Sequence, residues 1–586
     1  MCGIAGIMTC DGSLPLPSAL QAMGQALAHR GPDGQGHYQS HNVALIQTRL
    51  AIIDLVNGNQ PIFETGGAAL MANGEIYNYV ELRDELPGVV FSTNSDCELP
   101  LQLYRRYGLE YTEHLRGMYA IAIHDPKTGR LSVSRDPFGI KPLYYAETAK
   151  SFAFASEPEA LIEAGIVAAE LEPQTRNELV QLQYTTGRQT IYSAIKRVLP
   201  GETLVIEGGR IVERRRQKAL PARAPLHCSL TEAVRQFDQV FADSVLIHQR
   251  SDVPYGMFLS GGIDSSAVLA MMARLNDRPV KAFTVGFPGT SAHDERHVAR
   301  KVAKALGAEH IEVEFSADDF WQLLPEVARV VDDPTADYAL LPSYKLAATA
   351  HAAGLKVILS GEGGDELFGG YGRYRSAIRP WWLNRKQMRR HGAFQGLDIF
   401  RIDFTGWRAG YTHSENENNH PNLTRLQKAQ ATDCADWLPN DLLTKLDRCL
   451  MAHGVEGRTP FLDTSLAAFA YCLPDKLKIN RGLGKWMLRN WLAQYVPSAE
   501  PFSRKRGFTV PVGEWIAKRG KELGPLVAAQ AGVKEICIPG AVESLFRELK
   551  TDYRFAAWTL LFYALWHQQH IVRNRVQGDV FAALTY

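Results

Sequence analysis

The chain has 586 residues, which is too long for one hydrophobic core and predicts two or three domains. Its 64 lysines and arginines balance 63 aspartates and glutamates, and a net charge of +1 gives no indication of nucleic acid or an anionic membrane as partner. No apolar run approaches the roughly 18 residues that a membrane-spanning helix needs. We therefore expect a cytoplasmic enzyme that acts on small molecules.

Cysteine usage draws attention to the residue after the initiator methionine. The eight cysteines are scattered, with no CxxC pair and no zinc-type spacing, so we expect reduced thiols. Cys2 lies in the sequence MCGIAGI, and removal of Met1 would give it a free α-amino group. An amine with a pKa of roughly 7.7–8.0 can accept the proton of a thiol. Cys2 is therefore a candidate nucleophile, with a buried small hydrophobe as the alternative.

Two patterns divide the chain. Over residues 2–207, short β-type runs bounded by Gly, Pro, Asn and Asp predict an α+β domain of antiparallel sheets with a few helices. The charged, proline-bearing stretch 208–228 predicts a linker. Over 229–586, strands and helices alternate and then give way to a mostly helical part beyond about residue 370. This alternation predicts an α/β domain with a parallel sheet.

The sharpest motif of the second half is FLSGGIDSS, residues 258–266, between a predicted strand and a predicted helix. Its glycines permit a tight turn, and its N–H groups, hydroxyls and helix N-terminus favour an oxyanion such as phosphate. An acidic residue fits there if Mg²⁺ accompanies the phosphates; a serine-capped turn is the alternative. The candidate phosphate-binding residues are Ser260, Gly261, Gly262, Asp264, Ser265 and Ser266.

SGGIDSS resembles the pyrophosphate loop of the ATP pyrophosphatases, which adenylate a carboxylate or carbonyl oxygen. A second stretch, LSGEGGDELFGGY at 359–371, follows a predicted strand, and ligands of open α/β sheets bind at such strand ends. The resemblance implies that ATP and Mg²⁺ bind here. The residues that it implies for the nucleotide are Leu259, Val285, Ser360 and Gly361, and those for the metal are Asp264 and Asp365.

Five stretches of the first half, MCGIAGI, HRGPDG, RLAIID, NGEIYN and NSDCE, together resemble the class II glutamine amidotransferases, which have an N-terminal-nucleophile fold of αββα layers. The resemblance implies that Cys2 attacks the amide of glutamine and releases ammonia. Asn73 and Gly74 would form the oxyanion hole. By the same resemblance, Arg49 and Asp96 would bind the charged ends of glutamine, and Glu75 would complete the pocket.

The two halves in this order resemble the glutamine-hydrolysing asparagine synthetase family over most of the chain. The resemblance implies a glutaminase domain, an acyl-adenylate made with ATP and Mg²⁺, and ammonia that travels through the protein to attack it. Glutamine, ATP and aspartate or another carboxylic acid would be the substrates, and a homodimer is common in this family. Glu362 would accept a proton from ammonia or orient it, Glu366 would hold an α-ammonium group, and Lys485 would neutralise charge on the phosphates or the intermediate. The basic stretch SRKRGF (503–508) is a further phosphate-binding candidate.

One departure leaves the acceptor open. The segment 332–354 contains no arginine, although family members that make asparagine carry one there for aspartate, whose second carboxylate favours a guanidinium partner. Lys345, Arg373 or Arg375 are candidates to supply that charge. The alternatives are amidation of another acid such as a sugar uronic acid, a ring-closing relative of the β-lactam synthetase kind, or a non-catalytic paralogue. The intact nucleophile and phosphate loop argue against the last two.

Overall fold

The computed structural model describes residues 2–292, 294–380, 382, 387–503 and 509–585. The strands are β1 (Cys2–Thr9), β2 (Gly34–Ser40), β3 (Val43–Arg49), β4 (Ile62–Phe63), β5 (Ala69–Ile76), β6 (Gly117–Asp125), β7 (Arg130–Arg135), β8 (Tyr144–Glu147), β9 (Ser151–Ala155), β10 (Lys196–Arg197), β11 (Glu202–Glu207), β12 (Arg210–Arg216), β13 (Tyr255–Phe258), β14 (Lys281–Gly286), β15 (Glu309–Glu314), β16 (Val357–Leu359) and β17 (Glu456–Arg458).

The α-helices are α1 (Pro17–Ala26), α2 (Tyr79–Asp84), α3 (Leu99–Tyr107), α4 (Pro158–Glu163), α5 (Pro173–Leu182), α6 (Leu230–His248), α7 (Ile263–Leu275), α8 (Arg296–Ala305), α9 (Ala317–Val330), α10 (Leu340–Ala352), α11 (Gly364–Phe368), α12 (Gly372–Ala377), α13 (Ala409–Glu417), α14 (Arg425–Thr432), α15 (Thr444–Met451), α16 (Thr464–Tyr471), α17 (Asp475–Lys478), α18 (Trp486–Tyr495), α19 (Val512–Ala529), α20 (Ala531–Ile536), α21 (Pro539–Arg547), α22 (Arg554–His570) and α23 (Val580–Thr585). A π-helix, Asp433–Leu443, joins α14 to α15.

The first half is a sandwich of two antiparallel six-stranded sheets, in the orders β10-β8-β9-β1-β3-β2 and β12-β11-β7-β6-β5-β4. Apolar side chains from both sheets, among them Ile4, Leu45, Met71 and Phe154, are buried together between them. Helices α1 and α4 pack on the first sheet, and α3 packs on the second. Because one face of each sheet lies in the sandwich and the other is covered by helices, the predicted αββα layering is confirmed.

The predicted linker 208–228 begins too early. Residues 210–216 form strand β12, which pairs with β11 at the edge of the second sheet. Its sequence RIVERRR is mostly exposed, because an edge strand leaves charged side chains in solvent, and such charges protect the edge from further pairing. Charge alone therefore could not distinguish this strand from a linker. Residues 217–229 lack helix and strand and lead to α6.

The second half contains a parallel five-stranded sheet in the order β15-β14-β13-β16-β17, which confirms the predicted α/β domain. The chain after α11 is largely helical, as expected. The strands of this sheet point their carboxyl ends the same way, so the loops after β13, β14 and β16 meet at one edge. Among the described residues, no helix is both long and apolar enough to cross a membrane.

Buried ion pairs join the two halves. Arg30 forms two hydrogen bonds with Asp447, of 2.7 and 2.9 Å, and Arg197 pairs with Asp333 at 2.7 Å. These four side chains are almost fully inaccessible to solvent. Charges removed from water are costly unless they are paired, so these contacts fix the two halves relative to each other.

Candidate active site

Cys2 begins β1, a central strand of the first sheet, where it stands opposite Arg49 of β3. Its backbone nitrogen donates a hydrogen bond to Asn73 Oδ1 at 3.1 Å. Burial raises the pKa of the Cys2 thiol, and the charge of Arg49 opposes that effect. A thiol that resists ionisation needs a base close by, and an α-amino group on this same residue would be such a base.

Asn73 lies on β5, where its side chain is fully buried. Its oxygen accepts the bond from Cys2, but its buried Nδ2 donor finds no hydrogen-bond partner among the residues that the structure describes. Leaving a buried amide donor unpaired costs roughly 1–3 kcal/mol, so such a donor calls for a ligand. A developing oxyanion next to Cys2 would satisfy it.

Gly74 follows Asn73 at a point where β6 leaves no room for a side chain. A Cβ at this position would lie 2.1 Å from the carbonyl oxygen of Met118 and 2.6 Å from Cα of Tyr119. The packing of the two strands therefore requires glycine here, whether or not its N–H group also contacts an anion.

Arg49 ends β3 and is enclosed by the loop that follows it. Its guanidinium donates to the carbonyl oxygens of Asp54 at 2.6 Å and Leu55 at 3.2 Å, and to Asn59 Oδ1 at 2.9 Å. A Cβ on Gly58 would approach the guanidinium to 2.8 Å, so the loop wraps the charge closely. These contacts hold Arg49 in one orientation beside Cys2.

Two buried carboxylates complete this cluster. Asp96 accepts a hydrogen bond from the N–H group of Ile76 at 2.7 Å, and burial raises its pKa to about 6. Burial, with the negative charges of Glu456 and Asp96, also raises the pKa of Glu75 well above its ordinary value. Glu75 lies 3.3 Å from the guanidinium of Arg458, which belongs to the second half of the chain.

The loop 260–266 connects β13 to the N-terminus of α7. Its serines turn it inward: the N–H group of Ser260 donates to Ser265 Oγ at 3.2 Å, and that of Gly262 donates to Ser260 Oγ at 3.3 Å. Gly261 has a φ of +69°, which favours glycine, and the buried hydroxyl of Ser266 has no hydrogen-bond partner in the described ranges. The first N–H groups of this 13-residue helix have no acceptor within the helix itself, which makes the loop suitable for an anion.

Lys485 joins the two predicted acidic residues. Its ammonium pairs with both Asp264 and Asp365, at 2.7 Å in the second case. Burial alone would lower the pKa of Lys485, but the two carboxylates outweigh it and raise the pKa above its ordinary value. A Cβ on Gly370 would overlap Asp365 and come within 2.4 Å of Lys485 Cε, so the backbone of the 359–371 stretch closes over this cluster.

The four residues predicted for the nucleotide lie at or next to the carboxyl ends of β13, β14 and β16. The carbonyl of Leu259 accepts a bond from Thr284 Oγ1 at 2.6 Å, and a Cβ on Gly361 would lie 2.9 Å from the nitrogen of Ser265. The buried hydroxyl of Ser360 has no hydrogen-bond partner among the described side chains and backbone groups. Val285 lies on β14, largely buried. The two motifs are therefore in direct contact.

Models of two known families match the two halves of the chain described above. A model of the asparagine synthase family matches residues 236–568, more than half of the chain, and a model of the glutamine amidotransferase domain matches residues 1–216. The chain belongs to the asparagine synthetase family. Asparagine synthetase [glutamine-hydrolyzing] 1 of Bacillus subtilis is 32% identical to it, over 99% of this chain and 98% of that protein.

Two further relatives agree with this membership. A putative asparagine synthetase [glutamine-hydrolyzing] of Mycobacterium tuberculosis is 33% identical over 97% of both chains. Asparagine synthetase B [glutamine-hydrolyzing] of Escherichia coli is 29% identical, over 88% of this chain and 83% of that protein. Both domains of this family member are therefore covered by the similarity.

Glu362 and Glu366 follow the strand β16 on the side of the Lys485 cluster. Burial raises the pKa of Glu362, and Lys445 at 3.8 Å opposes this. Glu366 accepts a hydrogen bond from the hydroxyl of Tyr371 at 2.6 Å, and burial, helped by Asp365, raises its pKa to about 8. Both carboxylates lie where low solvation favours their neutral forms.

Lys445 was not found by sequence reasoning. It lies on α15, donates to Asp337 at 2.8 Å and approaches Glu362 to 3.8 Å. These residues are separated by about a hundred positions in the chain and belong to no recognised motif. The sequence showed only a lysine within a stretch expected to be helical, and the burial of that lysine became apparent from the structure.

Two of the three residues proposed to replace the missing arginine have carboxylate partners of their own. Lys345 pairs with Asp319 at 2.7 Å, and Arg373 pairs with Asp433 at 2.9 Å while it stacks on Trp437, 4.1 Å from the ring centre. Arg375 lies on the short helix α12. Of the basic stretch 503–508, residues 504–508 lie outside the described part of the chain.

The side chains predicted to bind a metal, Asp264 and Asp365, are both carboxylates. Within the described ranges, no group of three or more His, Cys, Asp or Glu side chains is placed to hold an ion by itself. Asp264 and Asp365 are nevertheless brought together around Lys485. Mg²⁺ commonly takes one or two carboxylates and completes its shell with phosphate oxygens and water, so this pair fits Mg²⁺ that arrives with a nucleotide.

Proposed function

We propose that this protein is a glutamine-hydrolysing asparagine synthetase, which converts glutamine, ATP and aspartate into asparagine, AMP, pyrophosphate and glutamate. The observation that carries the proposal is the bond between Cys2 and Asn73, because it aligns a nucleophile with an unsatisfied oxyanion donor. The family membership gives the reaction class, and the residues of both halves supply the chemistry.

In the glutaminase half, Cys2 attacks the amide carbon of glutamine after removal of Met1 frees its amine. The proton of the thiol passes to that amine, which Asn73 Oδ1 orients. The oxygen of the tetrahedral intermediate takes the free Nδ2 donor of Asn73. Arg49 pairs with the carboxylate of glutamine and Asp96 with its ammonium group. The protonated amine then gives its proton to the leaving nitrogen, ammonia leaves and a thioester forms, and water releases glutamate from that thioester.

In the synthetase half, a carboxylate oxygen of aspartate attacks the α-phosphorus of ATP, and pyrophosphate leaves. The 260–266 loop would hold the pyrophosphate, and Lys485 would neutralise part of its charge. Mg²⁺, held by Asp264 and Asp365, would neutralise further phosphate charge when bound. Ammonia then attacks the acyl-adenylate, with Glu362 as the proton acceptor, and AMP leaves.

Ammonia must stay unprotonated between the two reactions, which requires a passage through protein. We place the domain boundaries at 2–216 for the glutaminase and 229–586 for the synthetase, with the buried pairs of Arg30 and Arg197 at their interface. A closed interface of this kind would keep water away from the transferred ammonia.

The test is mass-spectrometric analysis of products after incubation with glutamine, Mg-ATP and L-aspartate. We expect asparagine, AMP and pyrophosphate in equal amounts. Glutamate without asparagine would contradict the choice of aspartate and direct the search to other carboxylic acids, such as sugar uronic acids. If neither glutamate nor AMP is formed, that result would contradict an enzymatic function.

A further inference from the structure

A buried lysine, Lys445, lies beside Glu362 and belongs to none of the sequence motifs. Lys445 Nζ lies beside Glu362, at 3.8 Å, and its side chain is only 8% exposed. Three carboxylates, those of Asp337, Glu362 and Asp441, act on it, and together they outweigh burial and raise its pKa above the ordinary value. Lys445 therefore keeps its positive charge next to the place where the proposed adenylate would form.

Lys445 also has hydrogen-bonding capacity to spare. An ammonium group has three donors, and among the described residues Asp337 alone accepts one of them, at 2.8 Å. The distance to Glu362 is too long for a hydrogen bond. Two donors on a nine-tenths buried cation thus remain for a ligand.

Two other cations, Lys485 and Arg373, already have carboxylate partners. Lys485 is shared between Asp264 and Asp365 on the phosphate side. Arg373 is stacked on aromatic rings and paired with Asp433.

We infer that Lys445 binds the second carboxylate of the acceptor, the one that is not adenylated, and thereby selects a dicarboxylic amino acid. The inference rests on the proposed function and names the residue that takes the part of the missing arginine. A lysine meets a carboxylate as a point charge instead of a two-pronged fork, and Asp337 holds it in place.

The experiment compares aspartate with β-alanine, which is aspartate without the second carboxylate, in ammonium-driven synthesis with Mg-ATP. For each acceptor, kcat/KM is measured from pyrophosphate release and from the amide product. Wild-type protein should prefer aspartate strongly. In Lys445→Met we expect this preference to fall about 30-fold, through a higher KM for aspartate, while β-alanine changes less than about twofold.

The matched control is Lys518→Met, which removes an exposed lysine paired with Glu514 on α19 and should keep the preference. Lys445→Arg, which keeps a positive charge, should retain most of the preference for aspartate over β-alanine. Glutaminase activity shows whether Lys445→Met is folded; if that activity is lost, Lys445→Gln replaces it with the same expectations.

Two results would overturn the inference. If kcat/KM falls equally for both acceptors in the Lys445 variants, the lysine has only a positioning or structural role. If the preference for aspartate is unchanged, it does not contact the second carboxylate. A wild-type protein that forms no asparagine would be a different failure, since it would contradict the proposed function before any variant is compared.

Discussion

The side-chain oxygen of Asn73 accepts a hydrogen bond from the backbone nitrogen of Cys2, while the buried nitrogen of the same amide has no partner within the described part of the chain. One side chain thus contacts the nucleophilic residue and offers a donor for the charge that the nucleophile would create. If this donor stabilises an oxyanion, Asn73→Ala should lower the kcat of glutamine hydrolysis by about 10²–10³-fold. Steady-state release of glutamate measures this.

A control for that change is Asn42→Ala, which removes an amide that bonds to the carbonyl of Thr9 away from Cys2. Its glutaminase activity should stay within about twofold of wild type. An Asn73→Ala protein with unchanged kcat would remove Asn73 from the oxyanion role.

Cys2→Ala separates the two reactions. The variant should lose glutamate release from glutamine but keep synthesis from added ammonium, because the Asp264 and Lys485 cluster is built from other elements. Cys10→Ala, a partly exposed cysteine of the same domain, serves as the matched control. Loss of both activities in Cys2→Ala, with normal Cys10→Ala protein, would contradict separate sites.

Asp264→Asn tests the phosphate site. The change removes one of two carboxylates that face Lys485, so pyrophosphate release should fall by at least about 100-fold, whereas basal glutaminase should persist. Asp243→Asn, an exposed partner of Arg116, is the control with the same chemical change. Unaltered pyrophosphate release in Asp264→Asn would exclude this residue from metal or phosphate binding.

Acid should weaken glutamine binding through Asp96. Its pKa is raised to about 6, so the carboxylate that would meet the ammonium of glutamine becomes neutral below that pH. The KM for glutamine should therefore rise as the pH falls from 7 to 5. For stability the sign is opposite: the raised pKa means that ionised Asp96 destabilises the fold above pH 6, and this cost declines as the pH falls.

The measurement is the pH profile of glutaminase KM in wild type and in Asp96→Asn. The variant should have a high KM at every pH, without the inflection near pH 6. A wild-type profile that is flat between pH 5 and 7 would show that Asp96 stays ionised or does not bind glutamine.

Local sequence was sufficient for much of this structure. The two domain classes and the strand before the SGGIDSS loop follow from patterns a few residues long, and those patterns report local backbone chemistry. The linker was placed too early because the edge strand β12 has exposed charges on both faces. Arg458 beside Glu75, and Lys445 beside Glu362, could not be predicted, because each contact joins residues far apart in the chain.

The role of individual site residues stays a prediction that the mutants above address. That Asn73, Gly74 and Glu75 lie close together could be predicted, because they are consecutive in the chain. It could not indicate that Glu75 would face Arg458, since that contact depends on how the two halves pack.

The buried pairs Arg30–Asp447 and Arg197–Asp333 have a consequence for any attempt to divide the protein. A gene cut within 217–229 would yield two polypeptides, each with charged side chains that the intact chain keeps out of water. Each fragment would hydrate those groups, and reassembly would have to remove that water again. Co-expressed halves should therefore recombine slowly, and the short connecting segment serves above all to keep the two surfaces at high local concentration while they dock.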